Sequence, residues 1–119
     1  MSQPELSVVV PVFNERDNVA PLVAEIPAAL RGRLPFEIVY IDDNSRDDTL
    51  AVLQGLKATT PELRVLHHVN QSGQSTAVRT GVKHARAPWI ATLDGDGQND
   101  PADIPKLLAA RDAAEAQVK

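Results

Sequence analysis

Two carboxylates one residue apart, Asp94 and Asp96, are the groups of this 119-residue chain that are best placed to do chemistry. Gly95 stands between them and Gly97 follows, which allows the backbone to turn tightly. Aspartates at this spacing can direct their oxygens at one hard divalent cation. Carboxylates held side by side repel each other, so we expect a cation there. The alternative is an Asx-type turn that caps a helix beginning near Pro101.

Four apolar runs predict the strands that position these groups. The first run is continuous and β-branched, which is typical of a strand buried in a parallel sheet, whereas the third run is weaker. The runs cover residues 6–12, 36–41, 63–67 and 89–93. We expect Trp89 to be an anchor packed beneath the last of them.

Apolar residues at helical spacing predict a helix after each strand. The first helix should carry Pro21 in its first turn and should be kinked or shortened by Pro27. The third should span about residues 75–86, and Pro101 should open the fourth. Connections of this length are too long for hairpins.

The predicted fold class is therefore α/β, a three-layer α/β/α sandwich with a mostly parallel sheet, in a single domain covering residues 1–119. Ligands of such sheets bind beyond the carboxyl ends of the strands. Three polar clusters follow strand ends and should converge there: Asn14 with Glu15, Asp42 with Asp43, and Asp94 with Asp96.

Composition narrows the class of partner. The net charge of −4 argues against a nucleic-acid partner, which needs a clustered basic surface. There is no cysteine, hence no disulfide or thiolate metal site. The N-terminus lacks the basic and apolar regions of a signal peptide, and no apolar run reaches the roughly 18 residues that span a membrane. We expect a cytoplasmic location.

The acidic clusters suggest how a nucleotide could bind. Asp94 and Asp96 cannot hold a diphosphate directly, but bound Mg²⁺ or Mn²⁺ would link carboxylates to phosphate oxygens. Asp42 and Asp43 lie on a different loop, and a carboxylate there can accept a hydrogen bond from a nucleobase N–H. The glycine-rich signatures that cradle phosphates are absent from the sequence.

Residues 8–15 (VVVPVFNE), 42–49 (DDNSRDDT) and 94–98 (DGDGQ) resemble the three ordered signatures of family 2 glycosyltransferases with the GT-A fold. Residues 98–101 (QNDP) and 73–81 are similar to those of the dolichol-phosphate mannose synthase-like, polyprenyl-phosphate branch. The resemblance runs from about residue 6 to residue 108. One departure is Gln71, where the family usually has Asn; Asn70 stands beside it.

This resemblance implies roles for individual residues. The nucleotide-sugar site would include Pro11, Asn14, Glu15, Asp42, Asp43, Asp94 and Gln98. Asp43, with Asp42 beside it, would meet the base. Asp96 would be the principal metal ligand, with Asp94 next to it on the ribose or donor-sugar side. Gln98 would lie near the metal and the diphosphate.

The resemblance also implies a reaction. A sugar would pass from a UDP- or GDP-linked donor to a polyprenyl or dolichyl phosphate, with Mg²⁺ or Mn²⁺ stabilising the departing nucleoside diphosphate. Family members continue past this segment with acceptor-side residues, and sometimes with membrane helices. We therefore expect the nucleotide-binding part of a transferase, whose full length could associate with the cytoplasmic face of a membrane.

Other interpretations remain open. The pairs Asn14–Glu15 and Asp42–Asp43 could be a helix entry and a capping loop, and Asp47 and Asp48 predict a helix cap. The adjacent histidines 67 and 68 are assigned no role, and the basic residues of the third helix favour a solvated face. A non-catalytic nucleotide- or metal-binding half-domain is one rival function. A haloacid dehalogenase-type phosphohydrolase is another, with the first Asp of the Asp-Gly-Asp segment as nucleophile.

Overall fold

The computed structural model describes residues 3–95 and Ala109. It alternates strands and helices in the predicted order: β1 (Leu6–Val12), α1 (Arg16–Leu30), β2 (Phe36–Asp42), α2 (Thr49–Leu56), β3 (Leu63–His67), α3 (Gln74–His84) and β4 (Trp89–Thr92). The helix predicted to begin at Pro101 lies outside the described residues. No helix in residues 3–95 is long and apolar enough to cross a membrane.

The four strands form one parallel sheet in the order β3-β2-β1-β4. The register pairs Val12 with Asp42, and Asp42 with His67, so that β1, β2 and β3 end in line. Every residue of β1 and β2 is buried, as their continuous apolar runs predict. The loops that carry the acidic clusters consequently leave the sheet at the same edge.

Helices cover both faces of the sheet, which confirms the three-layer architecture. Successive strand residues point to opposite faces. Val8 and Val10 belong to the larger apolar cluster, which includes the buried residues of α1 and Leu53 of α2. Val9 lies on the other face in a smaller cluster, together with Val39, Ile41 and Ala77 of α3.

The last strand differs from the prediction. Trp89 is 37% exposed and Ile90 is also exposed, while Ala91 is buried. Trp89 is therefore not a buried anchor. Within residues 3–95, β4 pairs only with β1 and stands at the end of the strand order, so one of its sides has no neighbouring strand there.

The prolines of α1 also behave differently from the prediction. The helix begins at Arg16, so Pro21 lies in its second turn rather than its first. Pro27 does not shorten the helix, which continues to the fully buried Leu30. A proline inside a helix loses one backbone hydrogen bond, and packing of the apolar face of α1 offsets that loss.

A buried carboxylate joins the strands at the opposite, amino-terminal edge of the sheet. Glu37 is 5% exposed and accepts hydrogen bonds from Ser7 Oγ at 2.6 Å, Arg86 N–H at 2.7 Å and Arg64 Nη1 at 2.8 Å. Burial raises the pKa of Glu37, but these hydrogen bonds and the charge of Arg64 outweigh it, and the pKa lies below its ordinary value.

Close packing of α3 on the sheet predicts the effect of Gly81→Ala. A Cβ at residue 81 would overlap the side chains of Val9 and Ile41. We expect the substitution to lower the free energy of unfolding by about 1–3 kcal/mol through overpacking, measured by urea denaturation. Gly55→Ala in α2 is the matched control, since nothing lies within 4 Å of its Cβ position. It should be neutral or stabilising by up to about 1 kcal/mol. Equal effects of the two substitutions would contradict this packing.

The buried Glu37 predicts a pH dependence of stability. Because its folded-state pKa is lowered, the stabilisation is fully present above the unfolded-state pKa of about 4.3 and is lost as the pH falls through the folded-state value. Glu37→Gln should therefore lower the free energy of unfolding by about 2 kcal/mol at pH 7, and by less near pH 3.

Urea denaturation at both pH values measures this effect. Glu62→Gln is the control, because Glu62 pairs with Arg31 at the surface and should cost much less. A Glu37→Gln deficit that is the same at pH 7 and pH 3 would show that the ionised form contributes nothing.

Candidate functional site

A cavity of about 270 Å³ opens at the carboxyl edge of the sheet. The loops after β1, β2 and β4 all contribute to it, which confirms the predicted convergence, and the start of α3 completes it. The lining residues are Pro11, Val12, Phe13, Glu15, Asp43, Gln71, Gly73, Gln74, Ala77, Asp94 and Gly95.

Asp43 is a buried and extensively hydrogen-bonded side chain of this lining. It is 4% exposed and accepts three hydrogen bonds from the segment that joins β3 to α3. His68 Nδ1 and the Ser72 N–H reach Oδ1 at 2.8 and 2.9 Å, and the Gly73 N–H reaches Oδ2 at 2.8 Å. Burial raises the pKa of Asp43, but the three donors and the charge of His68 outweigh it, so that the pKa is lowered and the carboxylate is ionised at neutral pH.

His68 is a site residue that sequence reasoning missed. Its Nε2 lies 2.8 Å from Thr80 Oγ1, so the ring bridges α3 and Asp43. The ends of β2 and β3 carry a signal that could have identified His68, because parallel pairing brings the two ends together. The register pairs Asp42 with His67, and the next residue along each strand is Asp43 and His68.

Asn14 joins the loop after β1 to the loop after β2. Its φ of +53° lies in the left-handed region, which asparagine tolerates better than most residues. Its N–H donates to Ser45 Oγ at 2.9 Å, and its Oδ1 accepts from the Arg46 N–H at 2.8 Å. Asn14 is exposed and is not part of the cavity lining. The structure therefore gives it a role in holding the two loops together.

Glu15 lies on the cavity wall, and its role in nucleotide-sugar binding stays a prediction. Its N–H donates to Thr49 Oγ1 at 3.0 Å, and its carboxylate accepts from Asn18 Nδ2 at 2.7 Å. The Thr49 N–H donates to the carboxylate of Asp47, whereas Asp48, the N-cap residue of α2, makes no side-chain cap. Of the two predicted caps, Asp47 alone bonds to the start of the helix.

The structure separates the two adjacent aspartates of the second cluster. Asp42 is fully buried and does not line the cavity. Its Oδ2 accepts from the Ser45 N–H at 3.2 Å and faces His67 Nδ1 at 3.1 Å, while Oδ1 has no hydrogen-bond partner among the described residues. Asp43 is thus the member of the pair that can reach a ligand in this cavity.

Asp94 lies on the wall formed after β4. Its Oδ1 accepts a hydrogen bond from Gln74 Nε2 at 2.9 Å, which brings the start of α3 to this carboxylate. Gly95 must be glycine at this position, because a Cβ would overlap Val12 Cγ1 and the Pro11 carbonyl oxygen. This close approach, as well as a tight turn, explains the glycine between the two acids.

The structure describes one residue of the predicted metal pair, Asp94. Asp96 and Gln98 lie outside the described residues. Within residues 3–95, no three histidine or acidic side chains come together as a metal cluster. However, the described cavity lining contains three carboxylates, Glu15, Asp43 and Asp94, and no Lys, Arg or His. The negative charge of this lining disfavours a diphosphate that enters without a cation.

Comparison with known proteins assigns the family. The sequence model described as glycosyl transferase family 2 matches residues 7–118. The chain is 40% identical over 115 residues to dodecaprenyl-phosphate galacturonate synthase from Rhizobium johnstonii, covering 93% of this chain and 33% of that protein. It is 39% identical over 106 residues to dolichol-phosphate mannosyltransferase from Pyrococcus furiosus, covering 89% and 30%. The chain spans about one third of the length of these relatives.

Solved structures confirm the fold. The mannosyltransferase PcManGT from Pyrobaculum calidifontis, in complex with GDP-Man and Mn²⁺, superposes with a TM-score of 0.72 at 24% identity, covering 81% of this chain and 28% of that one. S. aureus TarS 1-349 in complex with UDP-GlcNAc gives 0.74 at 25% identity, covering 89% and 30%. The predicted GT-A architecture is thus confirmed.

The family match also decides between the open interpretations of the Asp-Gly-Asp segment. The matched residues 7–118 include all three polar clusters, whereas the phosphohydrolase interpretation used only the cluster of Asp94 and Asp96. That interpretation was wrong. The chain belongs to glycosyl transferase family 2, and its relatives include the polyprenyl-phosphate branch that the sequence resembles.

Proposed function

We propose that this chain forms the donor-binding part of a glycosyltransferase that moves a sugar from a UDP- or GDP-linked donor to a polyprenyl or dolichyl phosphate. The acidic cavity at the carboxyl edge of the sheet is the observation that carries the proposal. Relatives named for dodecaprenyl phosphate and dolichol phosphate support the class of acceptor. Structural neighbours in complex with GDP-Man and UDP-GlcNAc support the class of donor.

A divalent cation is part of the proposal, either Mg²⁺ or Mn²⁺. Asp94, together with Asp96, would hold it; the lining of three carboxylates without a basic side chain supports this assignment. When bound, the cation would neutralise the diphosphate and stabilise it as the leaving group. The Mn²⁺ bound to PcManGT supports a divalent ion of this kind.

Other side chains of the cavity would bind the nucleotide and hold the metal-binding carboxylate in place. Asp43 is ionised, buried and rigidly held, so it would accept a hydrogen bond from the base. Gln74 holds the Asp94 carboxylate and limits its rotation. Pro11 and Phe13 provide an apolar wall, which would exclude water from one side of the bound nucleotide.

The proposal also includes where the acceptor binds and where in the cell the reaction takes place. The relatives are about three times the length of this chain, and the residues that bind the lipid phosphate would lie in the rest of such a protein. A lipid-linked acceptor resides in a membrane, whereas a nucleotide sugar is water-soluble. The reaction would therefore take place at a membrane surface, and we propose that this is the cytoplasmic face.

Metal-dependent nucleotide binding tests the proposed function. We expect the full chain to bind UDP or GDP in the presence of Mn²⁺, and to lose binding when EDTA is added, as measured by calorimetry. Asp94→Asn and Asp96→Asn should weaken binding by more than about tenfold, because a charged ligand of the cation is lost.

Asp17→Asn is the matched control, since this exposed carboxylate lies in the first turn of α1 and is not part of the cavity lining. It should bind as the wild type does. Binding that is insensitive to EDTA, or equally weakened in all three variants, would contradict the assignment of Asp94 and Asp96.

Sugar transfer distinguishes the enzyme from the remaining alternative, a non-catalytic binding half-domain. We expect a longer protein that joins this chain to the acceptor-binding residues to transfer labelled sugar from a nucleotide sugar to a polyprenyl phosphate. Metal-dependent binding without any transfer would favour the half-domain instead. The chain matches only about one third of its relatives, which is compatible with this alternative.

A further inference from the structure

The carboxylate of Asp43 has nearly exhausted its capacity to accept hydrogen bonds. An ionised carboxylate offers about two acceptor positions on each oxygen. Oδ1 already accepts from His68 Nδ1 at 2.8 Å and from the Ser72 N–H at 2.9 Å. Within residues 3–95, Oδ2 accepts from the Gly73 N–H alone, at 2.8 Å. One position therefore remains for a ligand in the cavity, and it belongs to Oδ2.

The ring of His68 is held in the orientation that fills Oδ1. Because an ionised carboxylate can only accept, Nδ1 must carry a hydrogen. On its other side, Nε2 lies 2.8 Å from the hydroxyl of Thr80 in α3. The side chain is only 16% exposed. These two contacts fix the imidazole between the helix and Asp43, so a ligand cannot readily displace it.

Nucleobases differ in the number of donors that they present together. Guanine presents N1–H and an adjacent amino N–H, which engage a carboxylate through both of its oxygens. Uracil presents a single N–H between two carbonyl groups. At Asp43 the two-oxygen contact would require Oδ1 to lose His68 or Ser72, and a buried donor left unpaired is costly.

We propose that His68 is a positioning residue which, by filling Oδ1 of Asp43, makes the site select a base with one N–H, as in uridine diphosphate donors, over guanine. This inference rests on the proposed function, since it assumes that the cavity binds a nucleotide. The two solved neighbours hold a GDP-linked and a UDP-linked sugar, so the comparisons themselves leave the base open.

Calorimetry with UDP and GDP, each with Mn²⁺ and the full chain, tests the selectivity. We expect the wild type to bind UDP at least about tenfold more tightly than GDP, because guanine leaves one donor unpaired. His68→Leu removes the donor to Oδ1 and frees a position there. UDP binding should weaken by about tenfold, and the ratio of the GDP dissociation constant to the UDP dissociation constant should fall towards one.

Two further variants keep the result interpretable. In His68→Asn, the amide nitrogen can stand close to the former Nδ1, so this variant should retain most of the UDP preference. Thr80→Val leaves the contact with Asp43 but removes the second anchor of the ring, so it should narrow the preference only partly. A purely structural role of His68 would weaken both nucleotides equally and leave their ratio unchanged.

The outcomes separate this inference from the proposed function. Tighter binding of GDP by the wild type, or an unchanged ratio in His68→Leu, would overturn the inference and leave metal-dependent nucleotide binding intact. Failure of a folded chain to bind either nucleotide would overturn both. A UDP preference that falls in His68→Leu and persists in His68→Asn would support the role of His68.

Discussion

A buried negative charge, the carboxylate of Asp43, is the interaction on which the site depends. Burying a carboxylate is costly unless donors surround it, and all three of its donors come from the segment between β3 and α3. Satisfying this one group therefore fixes the start of α3 against the end of β2. Gln74 is the first residue of α3, and its amide in turn holds Asp94. The walls of the cavity are linked through these contacts.

Much of this arrangement was predictable because it follows from strand order. Continuous apolar runs identify buried parallel strands, and parallel strands bring their carboxyl ends to one edge, so the convergence of Glu15, Asp43 and Asp94 follows from the sequence pattern. The partners of Asp43 were not predictable in the same way. The contributions of Ser72 and Gly73 are backbone N–H groups, whose positions depend on the path of the loop rather than on residue type.

Two differences between the structure and the expectations from the sequence have simple physical causes. An apolar run does not reveal how many neighbours its strand has, and Trp89 is exposed because β4 pairs with β1 alone within the described residues. Asp42 and Asp43 were treated as a pair, but adjacent residues at the end of a strand point in opposite directions. Asp42 is consequently buried away from the cavity lining, while Asp43 reaches it. The roles predicted for Asp96 and Gln98 stay predictions, since both lie outside the described residues.

A crystal structure of the full chain with a nucleoside diphosphate and Mn²⁺ would test the central claim most directly. The claim is that acidic loops at the carboxyl edge of the sheet bind a donor through a cation. We expect the base within hydrogen-bond distance of Asp43, and an anomalous manganese peak beside Asp94, with the diphosphate between the metal and the cavity wall. A nucleotide bound elsewhere, or a diphosphate held in this cavity without a metal, would contradict the account.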